Sequence, residues 1–246
     1  MDSIDTKSAF RNKSAIRIPQ SALIGYLLKP AVFLAGLGPL AWLVWAALTN
    51  NLSANPLSDL TNETGTWTLR FLCITLAMTP LRRLTGWNWV IRFRRMTGLF
   101  AFFYGSLHFL TYAIVDRYTG LDLTNGFFTA SVAGEFVKSV GADIYKRPFI
   151  TVGFTAFTLM IPLALTSTAG SIRRLGGKRW SRLHRLVYVS ATLGVIHYWW
   201  LVKADIRRPL AYGIVVGTLL IFRVWWSRIR STATWRKAPA PVRRSV

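Results

Sequence analysis

Long apolar blocks separated by short polar ones constrain this chain more than any other feature. Segments near 30–49, 66–81, 96–116, 148–168, 183–202 and 209–227 each approach the roughly 20 residues with which a helix crosses about 30 Å of hydrocarbon. No water reaches that depth, so a segment of this length satisfies its own amides and carbonyls by becoming helical. The expected fold is all-α, a polytopic membrane bundle of about six transmembrane helices. A length of 246 residues leaves no room for a separate soluble catalytic domain. The expected organisation is an N-terminal tail over 1–28, one transmembrane domain over 29–230 and a C-terminal tail over 231–246. The second segment is short, and its reading as a span depends on Trp67 and Arg70 lying near an interface.

The formal charge of +22 invites a nucleic-acid reading, but its distribution argues against one. With six spans, the side that holds both termini carries 23 of the 31 Lys and Arg residues, and the opposite side carries 8. Seven of the nine acids, Asp59, Glu63, Asp116, Asp122, Glu135, Asp143 and Asp205, fall on that opposite side. The positive-inside rule then puts both termini in the cytoplasm. The basicity reads as topology, with membrane lipid as the partner and no nucleic acid. Cys73 is the only cysteine, so there is no intrachain disulfide, and no Cys-x-x-Cys-His attaches a c-type haem. The first apolar run is longer than a signal-peptide core and is read as a retained anchor.

Between the spans, residues 1–20 read as a flexible basic tail and Ser21–Leu28 as a short interfacial lead-in. Pro30, Pro148 and Pro209 stand at span starts, where a missing amide donor costs little. Pro39 and Pro162 lie inside spans and are expected to kink them. Loop 117–147 contains Val132, Ala133, Phe136, Val137 and Val140 at helical spacing, which predicts an amphipathic helix over Ala130–Val140, serving as a spacer or as a docking surface. Trp87, Trp89, Trp199, Trp200, Trp225 and Trp226 near span ends suit an aromatic belt. No internal repeat is evident, and all acids are assigned to loops or the tail.

The chain has three histidines, His108, His184 and His197, all inside or at the lip of apolar segments. An ionisable group at bilayer depth is costly and needs a partner, and neutral imidazole is a good axial ligand for haem iron. His108 lies about 18 Å into the third span, and His197 lies six residues before Lys203 on the fifth. Matched depth would let the two clamp one macrocycle from opposite faces. Gly105 and Gly194 each precede one of these histidines by three residues, leaving room for a flat ring or for close helix packing. His184 sits at the mouth of the fifth span, about 20 Å below His197 but about 140° around a straight helix. A second haem there would need a bend and an unusual partner ligand; a hydrogen bond at the interface is the alternative reading. Arg94, Arg95, Arg179, Arg182 and Arg185 could pair with haem propionates or a flavin phosphate. A transporter using histidines as proton relays would instead predict acids at the midplane.

Several blocks carry a resemblance. The run from Arg94 to His108 (RRMTGLFAFFYGSLH), Lys146–Gly153, Leu163–Ser167, Trp180–Tyr188 and Gly194–Lys203 resemble the MsrQ (YedZ) family over about residues 30–228. That resemblance implies a ferric-reductase-like transmembrane domain, related to the membrane part of NADPH oxidases, in the bacterial inner membrane. It implies b-type haem, one or two, together with FMN, and ligand histidines at His108, His184 and His197. Electrons would come from the quinone pool or a cytosolic flavin reductase and pass to the periplasmic molybdopterin enzyme MsrP, which reduces methionine sulfoxide in oxidised proteins. Such a chain is an electron-transfer subunit and not the catalytic one. A b-type cytochrome or ferric-reductase-like subunit serving another periplasmic oxidoreductase is the alternative. One histidine of the NADPH oxidase set is missing from the third span, where Arg94 or Arg95 stands.

Overall fold

A computed structural model describes residues 27–118, 130–202 and 204–235. The expected tail 1–20, nearly all of the lead-in Ser21–Leu28, Lys203 and residues 236–246 lie outside the described residues. Six long helices follow the predicted spans: α1 (Lys29–Leu48), α2 (Pro56–Thr85), α3 (Arg94–Leu110), α5 (Pro148–Leu165), α8 (Leu186–Leu201) and α9 (Arg207–Trp235). Between them lie α4 (Ala130–Lys146) and the short α6 (Ala169–Leu175) and α7 (Gly177–Leu183). A 3₁₀ turn over Asn88–Phe93 leads into α3, and a π-helical stretch over Thr111–Tyr118 extends it. Four helical segments, Lys29–Leu48, Asn88–Ile114, Pro148–Leu165 and Arg207–Ile229, are long and apolar enough to cross a membrane, and Leu186–Leu201 is a shorter apolar one. Apolar side chains such as Leu34, Leu48, Leu165 and Ile221 are 66–79% exposed, a surface that suits lipid and not water.

The bundle is built from two tight antiparallel hairpins, α2/α3 and α5/α8. Contacts between the hairpins, α3 with α5 and α2 with α8, are sparser. α3 and α8 are therefore diagonal, and a slot runs between the hairpins. α9 packs on α8 and α2, α4 lies on α5, and α1 rests lightly on α2 and α3. The core gathers Leu69, Phe71, Leu72 and Leu76 of α2 with Phe100, Ala101 and Tyr104 of α3, and Met160, Val187 and Ala191 from the second hairpin.

The second span departs most from expectation. α2 covers 30 residues and not the 16 of segment 66–81, with Asn55 capping its start through Ser58 N–H and Pro56 at its first turn. Its N-terminal half carries four threonines together with Ser58, Asp59, Asn62 and Glu63, so hydropathy does not reveal it. Thr64 and Thr68 return their hydroxyls to carbonyls of their own helix, at 2.7 and 2.9 Å, which removes much of their polarity. One correction follows. Glu63 is not in a loop but on α2, two turns from Arg70, which stands midway along the same helix. Asp59 is also in α2, while Glu135 and Asp143 are in α4.

Candidate functional site

His108 on α3 and His197 on α8 reach into the slot from diagonal helices. Their ring centroids are 6.0 Å apart and the rings are inclined by 76°. Nδ1 of His108 bonds the carbonyl of Thr61 on α2 at 2.8 Å, and Nδ1 of His197 bonds the carbonyl of Phe149 on α5 at 2.7 Å. A carbonyl can only accept, so in each ring Nδ1 carries the hydrogen and Nε2 keeps a free lone pair. A backbone acceptor that fixes tautomer and ring orientation is the usual support of a metal-ligating histidine.

Each imidazole also rests on a glycine of its supporting helix. A β-carbon at Gly65 would lie 2.9 Å from Nδ1 of His108, and one at Gly153 would lie 2.6 Å from Nδ1 of His197. The carbonyl acceptor and the glycine are four residues apart in both cases, Thr61 with Gly65 and Phe149 with Gly153. The two hairpins thus repeat one local device, where the sequence shows no repeat. What recurs is a backbone oxygen and a missing side chain, and neither leaves a shared side-chain pattern.

Gly105 and Gly194, the glycines singled out from spacing, face other groups. A β-carbon at Gly105 would lie 3.5 Å from Thr68 and from Phe157, and one at Gly194 would lie 3.3 Å from Leu69. Both let helices approach closely. Phe102, Phe157, Phe109 and Phe154 form a run of ring contacts between α3 and α5, with Phe102 and Phe157 only 1° from parallel. This wall makes the surroundings of the histidine pair apolar.

His184 is placed elsewhere, at the break between α7 and α8. Where a second haem would need a bend, the chain makes a tight turn, in which Arg185 N–H bonds Arg182 and Tyr188 N–H bonds Arg185, both three residues back. Nε2 of His184 is 3.1 Å from the hydroxyl of Thr166, whose hydrogen is directed to the Pro162 carbonyl at 2.6 Å. Trp180 stacks on the imidazole at 3.9 Å and donates its indole N–H to Thr166 O. Burial, then the positive charge of Arg94, hold His184 below the ordinary histidine pKa and so keep it neutral.

His184 lines a cavity of about 310 Å³ with Arg94, Arg95, Trp180, Tyr188 and Arg223. Arg223, whose guanidinium lies 4.5 Å from the centre of the Tyr188 ring, was not anticipated from sequence because α9 is remote in the chain. Arg182 and Arg185 are exposed and do not line this cavity. Arg94 of α3 and His184 line it together, and the charge of Arg94 acts on the imidazole.

The histidine pair fits a haem. Two nitrogens about 2 Å from one metal, with each ring centre about 1 Å beyond, set the ring centres roughly 6 Å apart. Among the described residues no group of three or more His, Cys, Asp or Glu could hold a bare metal ion. Two imidazoles suffice only when a macrocycle supplies the other ligands.

The chain is similar to known proteins over most of its length. Residues 64–195 match the family described as "Ferric reductase like transmembrane component". Proteins named protein-methionine-sulfoxide reductase heme-binding subunit MsrQ are similar over most of the chain. That of Herminiimonas arsenicoxydans is 53% identical over 203 residues, 82% of this chain and 86% of its own. That of Ralstonia nicotianae is 54% identical over 198 residues, 80% of this chain and 84% of its own. That of Bordetella pertussis is 50% identical over 205 residues, 82% and 91% respectively. No solved structure matches the chain.

Proposed function

Because the chain belongs to the MsrQ family of haem-binding membrane subunits, within the ferric-reductase-like transmembrane family, we propose that it relays electrons across the bacterial inner membrane. The donor is the quinone pool or a cytosolic flavin reductase, and the acceptor is a periplasmic molybdenum-containing methionine sulfoxide reductase of the MsrP kind. The reading rests on one observation above all: two imidazoles on diagonal helices, 6.0 Å apart, each with Nδ1 tied to a neighbouring backbone carbonyl.

A b-type haem bound there would supply one-electron chemistry at iron. The chain's own residues do the rest. His108 and His197 would hold the iron through Nε2; Thr61 and Phe149 hold the rings in one tautomer; Gly65 and Gly153 admit them against the supporting helices. The wall of Phe102, Phe109, Phe154 and Phe157 excludes water and so biases the potential. At the opposite end, the cavity bounded by Arg94, Arg95, Arg223 and His184 suits an anionic planar group, either the propionates of a second haem or FMN.

The test is the visible spectrum of the purified protein. A six-coordinate b-haem signal is expected, with a sharp Soret band and a reduced α-band. His108→Ala or His197→Ala should abolish it, and His184→Ala should leave part of it. A full six-coordinate signal in His108→Ala would overturn the pairing.

A further inference from the structure

Arg70 is an ionisable residue beside the middle of the apolar helix α1 that the haem reading does not use. It stands 14 residues from Pro56 and 15 from Thr85, about 21 Å from either end of α2. Its Nε donates to the hydroxyl of Tyr212 on α9 at 3.3 Å, and its guanidinium lies 4.4 Å from the centre of the Trp67 ring. Glu63 is two turns outward on the same face, about 10 Å along the axis. Together with Gly38, Pro39 and Trp42 of α1 these side chains line a recess of about 470 Å³ between α1 and α2. A β-carbon at Gly38 would meet no atom within 4 Å, so the recess is open beside it.

Three constraints define the occupant. First, α1 is the loosely packed outer helix and Trp42 is 52% exposed, so access is from the lipid side. A water-soluble ion does not approach that way, and a phospholipid headgroup stays at the interface. Second, the recess offers a donor at one end and an acceptor at the other, with indole rings between. A six-membered ring bearing oxygens at opposite ends, with a hydrogen bond of about 2.8 Å at each, spans about the same 10 Å. Third, Glu63, Trp67 and Arg70 lie on the face of α2 opposite Gly65, against which His108 rests. The recess is therefore about one helix diameter, roughly 10 Å, from the histidine pair.

We propose that this recess binds the headgroup of a membrane quinol or quinone, with Arg70 donating to one ring oxygen, Glu63 accepting from the hydroxyl at the other when the ring is reduced, and Trp42 and Trp67 flanking the ring. The inference rests on the proposed relay and gives its lipid-soluble donor a place in the fold.

The test is photolabelling of the full chain in lipid nanodiscs with an azido-ubiquinone analogue, with decylubiquinone as competitor and the Soret band recorded on the same preparation. Label is expected on peptides covering 38–42 and 63–70, falling at least tenfold with excess decylubiquinone. Arg70→Gln and Gly38→Leu should each reduce labelling at least fivefold with the Soret band unchanged. Should Arg70→Gln fail to accumulate, Gly38→Leu carries the test, since its side chain fills open space. Wild-type labelling in Gly38→Leu, label confined to other segments, or competition by added phospholipid as strong as by decylubiquinone would each overturn the site. Labelling as expected without any Soret band would support the recess and count against the haem relay instead.

Discussion

A β-carbon at Gly153 would come to rest 2.6 Å from Nδ1 of His197, closer than non-bonded atoms approach, and one at Gly65 would lie 2.9 Å from Nδ1 of His108. The ring must then shift, which breaks its bond to the carbonyl one turn away and frees its orientation. Gly153→Ala is expected to lower haem content severalfold, and Gly65→Ala to lower it less. Gly217→Ala, whose β-carbon meets nothing within 4 Å, should match the parent. Haem-to-protein absorbance ratios of the purified variants check this. Equal haem content in all three would show that the glycines do not position the rings. An overpacking cost of about 1–3 kcal/mol is the scale to expect at the two tight sites.

Elements are shaped by the same local accounting of donors and acceptors. Pro39 interrupts the hydrogen-bond ladder of α1, and the hydroxyl of Tyr104 enters the gap. It donates to Gly36 O at 2.9 Å and accepts from Leu40 N–H at 3.1 Å, so it bridges a pair four residues apart that would otherwise bond directly. Gly36 permits this, since a β-carbon there would collide with the Phe100 ring at 2.4 Å. Tyr104→Phe leaves both backbone groups without their bridge at a fully buried position. A loss of about 1–3 kcal/mol is expected, read as a lower unfolding temperature in detergent with the haem spectrum retained. At the outer end of α2, Asn55→Ala removes the cap on Ser58 N–H and should cost about 0.5–2 kcal/mol in the same assay. An unchanged melt in both variants would mean that packing alone sets these helix ends and bends.

The whole molecule is two hairpins with a slot between them, clasped by α1, α4 and α9. Within each hairpin small residues allow close approach, as where Ser190, wholly buried, donates to the Ala156 carbonyl at 2.8 Å. The hairpins pack more sparsely on each other than within themselves, and both ligand candidates converge between them, so a planar group would there replace missing side-chain contacts. Depletion of haem should therefore loosen the bundle, visible as faster proteolysis of the α2/α3 and α5/α8 connections. Orientation belongs to this scale as well. Alkaline phosphatase fused after Asn51, in the turn between α1 and α2, should be active, whereas a fluorescent protein at the C-terminus should fluoresce from the cytoplasm. The reverse pattern would invert the direction of electron flow.

Apolar block length was enough to specify an all-helical bundle with nearly correct ends for α1, α5 and α8, because a segment in hydrocarbon has no structural choice beyond satisfying its own backbone. The rarity of histidine in the chain and its equal depth on two spans likewise pointed to residues 108 and 197 as a pair. Hydropathy did not reveal α2 in full, since threonine hydroxyls hide their polarity in bonds to their own helix, which composition scores as if they faced water. Nor could spacing tell Gly65 and Gly153 from Gly105 and Gly194. Which glycine receives an imidazole depends on which helices stand next to each other, and that is decided by packing between segments 40 to 50 residues apart. The meeting of Arg94, His184 and Arg223, and of Arg70 with Tyr212, was settled in the same way, by tertiary contact.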